Sequence, residues 1–100
     1  MRVTFSPAAR DDLVEIAAFI AQDSPTRAAT FVDELERKCT PLGTAPGIGT
    51  SRPELGEGIR TMPHGRYLVF YRPTRNVVRI ERILHGARDI TDGDFESDAR

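Results

Sequence analysis

Ionisable side chains follow directly after the last strand-like run, in the stretch ILHGARDI (residues 83–90). The imidazole of His85 suits a general base, while the guanidinium of Arg88 suits a phosphate or a carboxylate. The same residues also suit a strand-to-helix turn, in which His85 bonds a backbone carbonyl, Asp89 caps or adds negative charge to the start of a final short helix, and Arg88 pairs with a carboxylate. The elements around the cluster decide between catalysis and a turn.

Arg82 conflicts with the alternation of the strand that precedes this cluster. A cation in an apolar row is costly unless a β-bulge redirects it or a carboxylate meets it. Asp12 and Glu15 are acids of the first predicted helix, so we expect one of them to form a buried ion pair with Arg82. The apolar residues expected to share its face are Val78, Ile80 and Leu84.

The other reactive residue types indicate structural roles. His64 precedes Gly65 in a hairpin turn and is expected to be solvated. Cys39 is the only cysteine, so it has no disulfide partner and is expected to be a small core residue. Neither histidine has a ligand companion at short spacing, and we therefore expect no metal site and no cofactor.

The length and composition of the chain limit the classes of protein to which it can belong. The chain of 100 residues carries a net charge of -1, with 39% hydrophobic and 29% charged residues, which predicts a single domain over residues 1–100. Residues 52–89 hold eight arginines against four acids, but a sequence pI near 6.1 argues against an independent nucleic-acid binder. The start MRVTFSPAAR lacks the apolar region of a signal peptide, and the apolar runs are too short to span a bilayer, so we expect a cytoplasmic location.

Periodicity predicts an α+β fold. MRVTF is strand-like, and Ser6-Pro7 and Ser24-Pro25 each start an amphipathic helix, which predicts a helical hairpin. The glycine-rich residues 43–58 show no periodicity and indicate a functional loop. Three strand-like runs then predict an antiparallel meander, and an acidic tail over residues 91–100 is expected to fray. The order β-α-α-β-β-β predicts two layers, with the hairpin on one face of a small, mainly antiparallel sheet.

The run RYLVFYR places large side chains on both faces of this sheet. Leu68 and Phe70 point to one face, and Tyr67, Val69 and Tyr71 point to the other. Because the helices cover only one face, we expect the other face to be left bare as an interaction surface.

Four stretches resemble the RelE/ParE superfamily of bacterial type II toxins, and most closely its ParE branch, over about residues 3–90. They are FSPAARDDLVEIAAFIA, LGTAPGIGTSRPEL, GIRTMPHGRYLVFYR and IERILHGARDI. The resemblance implies a toxin held inactive by a cognate antitoxin, with a fold that agrees with the order of elements above. It implies one of two mechanisms: ParE-like inhibition of DNA gyrase by protein binding, or RelE-like cleavage of mRNA on the ribosome.

The resemblance to RelE-like nucleases is incomplete at the residues that carry their chemistry. Arg60 and Arg88 match basic positions of that pattern, but Tyr67 stands where a second arginine is expected, and Arg66 is one residue out of phase. Asp94-Phe95 stands near the position of a catalytic tyrosine. The leading hypothesis is therefore a gyrase inhibitor, with target contacts from Arg60, Arg82, His85 and Arg88. The alternative is an endoribonuclease that uses Arg60, His85 and Arg88, and a third interpretation is a toxin fold that has lost its target.

The resemblance also implies that the antitoxin wraps over the helical hairpin and the sheet. Phe19 motivates the assignment of its site, because this large apolar side chain lies off the main stripe of the first helix. The residues expected to receive the antitoxin are Leu13, Ile16, Phe19, Tyr67, Val69 and Tyr71.

Overall fold

The computed structural model describes residues 1–95, in which two helices pack on a mixed five-stranded sheet. The elements are β1 (Arg2–Phe5), α1 (Pro7–Ala21), α2 (Pro25–Cys39), β2 (Thr50–Ser51), β3 (Arg60–His64), β4 (Tyr67–Pro73) and β5 (Val77–His85). The strands follow the order β1-β5-β4-β3-β2, with β1 parallel to β5 and the other pairs antiparallel. This arrangement confirms the predicted α+β class and element order, with one additional short strand.

Both helices begin at the predicted Ser-Pro pairs. The hydroxyl of Ser6 accepts a hydrogen bond from the Ala9 N–H at 3.0 Å, and that of Ser24 accepts one from the Arg27 N–H at 3.1 Å. A proline stands in the first turn of each helix, where no N–H is needed. Within residues 1–95, neither helix has the length and apolar content that a bilayer crossing requires.

The loop between α2 and β3 is more regular than its sequence predicts. It contains 3₁₀ turns at Pro46–Ile48 and Pro53–Leu55, with β2 between them. Tyr71 of β4 holds this loop against the sheet through two hydrogen bonds. Its hydroxyl donates to the Pro46 carbonyl and accepts from the Gly49 N–H, both at 2.8 Å. A Cβ on Gly49 would lie 2.6 Å from that hydroxyl, so only glycine fits this approach.

The second face of the sheet is covered by the chain itself, contrary to our prediction of a bare surface. Phe70 and Leu84 are buried there beneath residues of the 52–59 segment and of the C-terminal segment. The ring of Phe95 meets Phe70 edge-on with 5.2 Å between centroids. Residues 91–95 therefore pack onto the sheet instead of fraying, while residues 96–100 of the predicted tail lie outside the described residues. The buried and half-buried apolar residues of this second core are Leu55, Ile59, Leu68, Phe70, Leu84, Ile90 and Phe95.

A β-bulge at Glu81 explains the position of Arg82. The register passes from Tyr71 opposite Ile80 to Phe70 opposite Arg82, so Glu81 is an extra residue of β5 at this point. The extra residue reverses the alternation, so Arg82 shares its face with Leu84 as predicted, but not with Ile80 or with Val78. Counting alternate residues through β5 was wrong there because it assumed an unbroken strand.

Asp12 is the acid that meets Arg82, as expected. Its two carboxylate oxygens accept bonds from the Arg82 Nε at 2.7 Å and Nη2 at 2.8 Å. These bonds raise the pKa of Arg82 above its ordinary value. One carboxylate oxygen also accepts the Ile83 N–H at 3.0 Å, so Asp12 joins α1 to β5 through three hydrogen bonds.

His64 lies at the end of β3 and not in the solvated turn that its sequence position suggests. Its ring is half-buried, with 5.2 Å between its centroid and that of Phe31 on α2. Burial lowers the pKa of His64, and the nearby charge of Lys38 lowers it further. The folded chain therefore favours the neutral imidazole.

Replacing Asp12 by Ala is expected to lower the free energy of unfolding by about 3 kcal/mol, because the partly buried guanidinium of Arg82 and the Ile83 N–H lose their acceptor. Urea denaturation measures this change. Glu15→Ala is the matched control on the same helix, since the Glu15 side chain is exposed, and it should change stability by less than about 0.5 kcal/mol. Equal losses in the two variants would contradict the role given to Asp12.

The free energy of unfolding should fall as the pH drops below about 6.5, because the unfolded chain takes up the His64 proton at a higher pH than the folded chain does. His64→Gln should remove this part of the pH dependence. Denaturation curves at several pH values between 7 and 5 test the prediction. Parallel stability profiles for the parent chain and His64→Gln would exclude a contribution from this histidine.

Candidate functional site

An open groove of about 230 Å³ runs between the C-terminal half of α1 and the end of β5, and we call it the α1–β5 groove. Asp12 fixes its position, because the bonds from this side chain to β5 hold the two walls together. The residues that line it are Asp12, Glu15, Ile16, Phe19, Tyr67, Ile83, Leu84, His85 and Arg88.

Two aromatic side chains, those of Phe19 and Tyr67, line the α1–β5 groove. Phe19 is 67% exposed on the α1 wall, an unusual exposure for so large an apolar side chain. Tyr67 forms part of the opposite wall and is half-buried between two rings, with centroid distances of 5.4 Å to Phe31 and 5.3 Å to His85. The groove thus has one aromatic side chain that is packed between other rings, Tyr67, and one that is exposed to solvent, Phe19.

His85 holds the turn that follows β5. Its Nδ1 accepts the Ala87 N–H at 3.1 Å, so the ring bonds a backbone N–H and not the carbonyl that we predicted. In the neutral ring this bond leaves the proton on Nε2, and the nitrogen that remains free is then a donor. The Gly86 N–H closes the turn by donating to the Arg66 carbonyl at 2.8 Å.

Arg88 forms an ion pair with Asp94, in agreement with the predicted carboxylate partner. The prediction that Asp89 caps the following turn is wrong. Thr91 caps the 3₁₀ turn at Asp92–Asp94, and the Asp94 carboxylate accepts the Thr91 N–H at 2.9 Å. Arg82 also donates to the Asp94 carbonyl at 2.9 Å, so two arginines hold the C-terminal segment.

Arg60 lies at the other end of the sheet. It is paired with Tyr71, whereas His85 is paired with Tyr67, four residues earlier in β4 and therefore about 13 Å away along the strand. Its guanidinium donates to the carbonyls of Gly47 and Gly49 at 2.8 to 3.1 Å. The structure brings His85 and Arg88 together but does not bring Arg60 to them.

The six residues expected to receive the antitoxin occupy three different environments. Ile16, Phe19 and Tyr67 line the α1–β5 groove. Leu13 lies on the other side of α1, where it lines a second groove of about 410 Å³ between the helices and β1. Val69 and Tyr71 are 0% exposed beneath the helices, so the assignment of these two as surface residues was wrong. The alternation of side chains along β4 correctly placed Val69 and Tyr71 on the same face of the sheet. It did not show that the helices cover this face.

Sequence reasoning also missed groove residues. The sequence pattern places Ile83 and Leu84 only at the end of a strand, and it indicates Glu15 only as a possible partner of Arg82. The spacing of Asp12, Glu15 and Phe19 by three and four residues was the available signal, because it places them on one side of a helix.

Cys39 is buried as predicted, and burial, together with the charge of Glu36, raises the pKa of its thiol to about 12. No group of three or more potential ligands that could hold a metal ion is present among residues 1–95. The expectation that the protein needs no cofactor stays a prediction.

Comparisons with known proteins agree with this architecture. The sequence profile described as "ParE toxin of type II toxin-antitoxin system, parDE" matches residues 3–90. A solved structure described as the chromosomal ParDE TA system from P. aeruginosa has a TM-score of 0.72 and 23% identity, covering 85% of this chain and 95% of that chain. At this identity the structural likeness supports the fold alone. No curated protein matches the sequence.

The family profile covers most of the chain, from the first strand to the turn after the last one. The chain therefore belongs to the ParE toxin family of type II toxin-antitoxin systems, whose members have a cognate ParD antitoxin.

Proposed function

We propose that this ParE-family toxin inhibits DNA gyrase by protein–protein contact, and that its cognate ParD antitoxin prevents this contact. The observation that carries the proposal is the separation of the residues that a nuclease would need. Arg60 lies about 13 Å along the sheet from His85. A base, an acid and cations must surround one phosphate to cleave RNA.

The bonds of the individual residues also favour a contact surface over a catalytic centre. His85 uses its Nδ1 to hold the turn, and Arg88 is paired with Asp94. Phe19, which has no role in proton transfer, is the most exposed aromatic residue beside them. Exposed aromatic and arginine side chains are the residue types that most often dominate protein–protein binding.

The four residues predicted to contact the target are proposed to act in two ways. His85 and Arg88 are exposed and are proposed to touch gyrase directly. Arg60 and Arg82 are proposed to position the surface, since Arg60 anchors the loop at residues 47–49 and Arg82 binds Asp12. Arg66 at the neighbouring turn adds positive charge to the same end of the molecule.

Adding the purified toxin to a gyrase reaction is expected to inhibit supercoiling of relaxed plasmid, and prior mixing with ParD should restore it. The same preparation added to translating ribosomes should leave the mRNA intact when cleavage is mapped by primer extension. Cleavage of mRNA in the ribosomal A site without inhibition of supercoiling would overturn the proposal.

Replacing Arg88 by Ala should raise the toxin concentration needed for half-inhibition of gyrase by about tenfold, because truncating an interfacial arginine costs about 1 to 2 kcal/mol. Arg75→Ala is the matched control, since Arg75 is an exposed arginine at the β4–β5 turn, at the opposite end of β5. Circular dichroism should first show that both variants are folded. Equal inhibition by the two variants would remove Arg88 from the gyrase contact.

A further inference from the structure

The loop between α2 and β3 exposes an apolar side chain at residues 46–49, which we call the 46–49 tip. Ile48 is 67% exposed there and packs against neither of the two buried cores. Among residues 1–95, Val14 and Phe19 are the other large hydrophobic residues exposed to this extent, and each of them lines a groove beside α1. Ile48 lines neither of these grooves, so its exposure is not part of either surface.

Side chains of the sheet fix the backbone of the 46–49 tip. The guanidinium of Arg60 donates to two of its carbonyls, and the hydroxyl of Tyr71 bonds a third carbonyl and one N–H. Tyr71 is 0% exposed, and the ring of Pro46 restricts the backbone further. A side chain on a fixed backbone loses less conformational freedom on binding than one on a mobile loop. The fold therefore holds Ile48 ready for a contact.

Gly47 is a glycine that the fold of the described residues does not require. Its backbone is outside the left-handed region, and a Cβ built on it would have no atom within 4 Å. Gly49 differs, because a Cβ there would lie 2.6 Å from the Tyr71 hydroxyl. Glycine also serves where another molecule comes close to the backbone. An exposed isoleucine beside such a glycine therefore indicates a contact with a partner.

The chemistry of the 46–49 tip fits a protein and not a nucleic acid. Residues 40–51 contain no charged side chain, and the guanidinium of Arg60 is already bonded to carbonyls of the tip. Binding to nucleic acid depends on cations placed at phosphates. An exposed apolar side chain on a fixed turn is instead complementary to a concave apolar site, and folded enzymes carry such sites. DNA gyrase, the target proposed above, is an enzyme of this kind.

We propose that the 46–49 tip contacts DNA gyrase directly, with Ile48 in an apolar pocket of the enzyme and the rim of that pocket against the backbone at Gly47. The inference rests on the proposed function, because it takes gyrase as the bound protein. It adds a contact to that of Arg88, at the other end of the sheet. It also explains how Arg60 positions the surface, since its three hydrogen bonds hold the tip.

The first test measures inhibition of gyrase supercoiling by the full-length toxin. Ile48→Ala should raise the concentration needed for half-inhibition by about tenfold, because the variant loses the side chain that fills the pocket. Val14→Ala is the matched control, since Val14 is an aliphatic residue of equal exposure on α1, and it should change this concentration by less than about twofold. Equal inhibition by the two variants would overturn the role of Ile48.

The second test uses Gly47→Ala to separate the contact from the fold. Urea denaturation should show that the variant is at least as stable as the parent toxin, because the added methyl group meets no atom of the described chain. The concentration needed for half-inhibition should nevertheless rise by about fivefold or more, since the methyl group intrudes on a packed interface. A stable Gly47→Ala variant that inhibits as well as the parent would overturn the approach of gyrase to this backbone.

The parent toxin and the ParD protein separate the possible failures. If the parent toxin does not inhibit supercoiling, the gyrase target is wrong and the proposed contact is wrong with it. If the parent inhibits and Ile48→Ala inhibits equally well, the 46–49 tip is not a contact and the gyrase target stands. Calorimetry with ParD should give the same affinity for Ile48→Ala and the parent toxin. A tenfold loss of ParD affinity with unchanged inhibition of gyrase would assign the tip to the antitoxin and overturn the proposal.

Discussion

The rest of the structure depends on the hydrogen bonds that the carboxylate of Asp12 accepts from β5. A bulge at Glu81 turns Arg82 out of the helix-facing row, and β1 leaves the edge of β5 before Ile83. The cation and the strand N–H both need an acceptor, and one side chain of α1 supplies it at 2.7 to 3.0 Å. Because these bonds fix the helix beside the strand, they also set the width of the α1–β5 groove and the position of Phe19 in its wall.

The same arginine connects this contact to the other face of the sheet. Arg82 reaches the Asp94 carbonyl, and Arg88 pairs with the Asp94 side chain. Together they hold the segment that places Phe95 over Phe70. The sheet is therefore covered on both sides, and the α1–β5 groove lies at its margin.

The outline of the fold could be predicted from local signals. Ser-Pro pairs mark the starts of both helices, and the alternation in RYLVFYR and NVVRIERIL marks two of the strands. The Arg82 ion pair could also be predicted, because a cation in an apolar row requires a carboxylate. These features depend on residues close in sequence or on a strict chemical need.

The features that could not be predicted depend on tertiary context. Counting alternate residues along a strand cannot detect an inserted residue such as Glu81, so it wrongly placed Val78 and Ile80 on the same face as Arg82. Leu55, Ile59 and Phe95 lie in segments without periodicity, and nothing local indicates that they cover a sheet. The distance between Arg60 and His85 depends on strand register, which a list of matching positions does not contain. For this reason the sequence indicated several residues of the α1–β5 groove, but only the structure shows that they line one groove.

The outermost strands of the sheet are short, and this limits the pairing of one copy of the chain with another at these strands. β2 is only two residues long, and Pro63 in the neighbouring β3 has no backbone N–H to donate. At the other margin β1 is four residues long and leads directly into α1. β1 and β2 therefore give a second copy little backbone for edge-to-edge pairing.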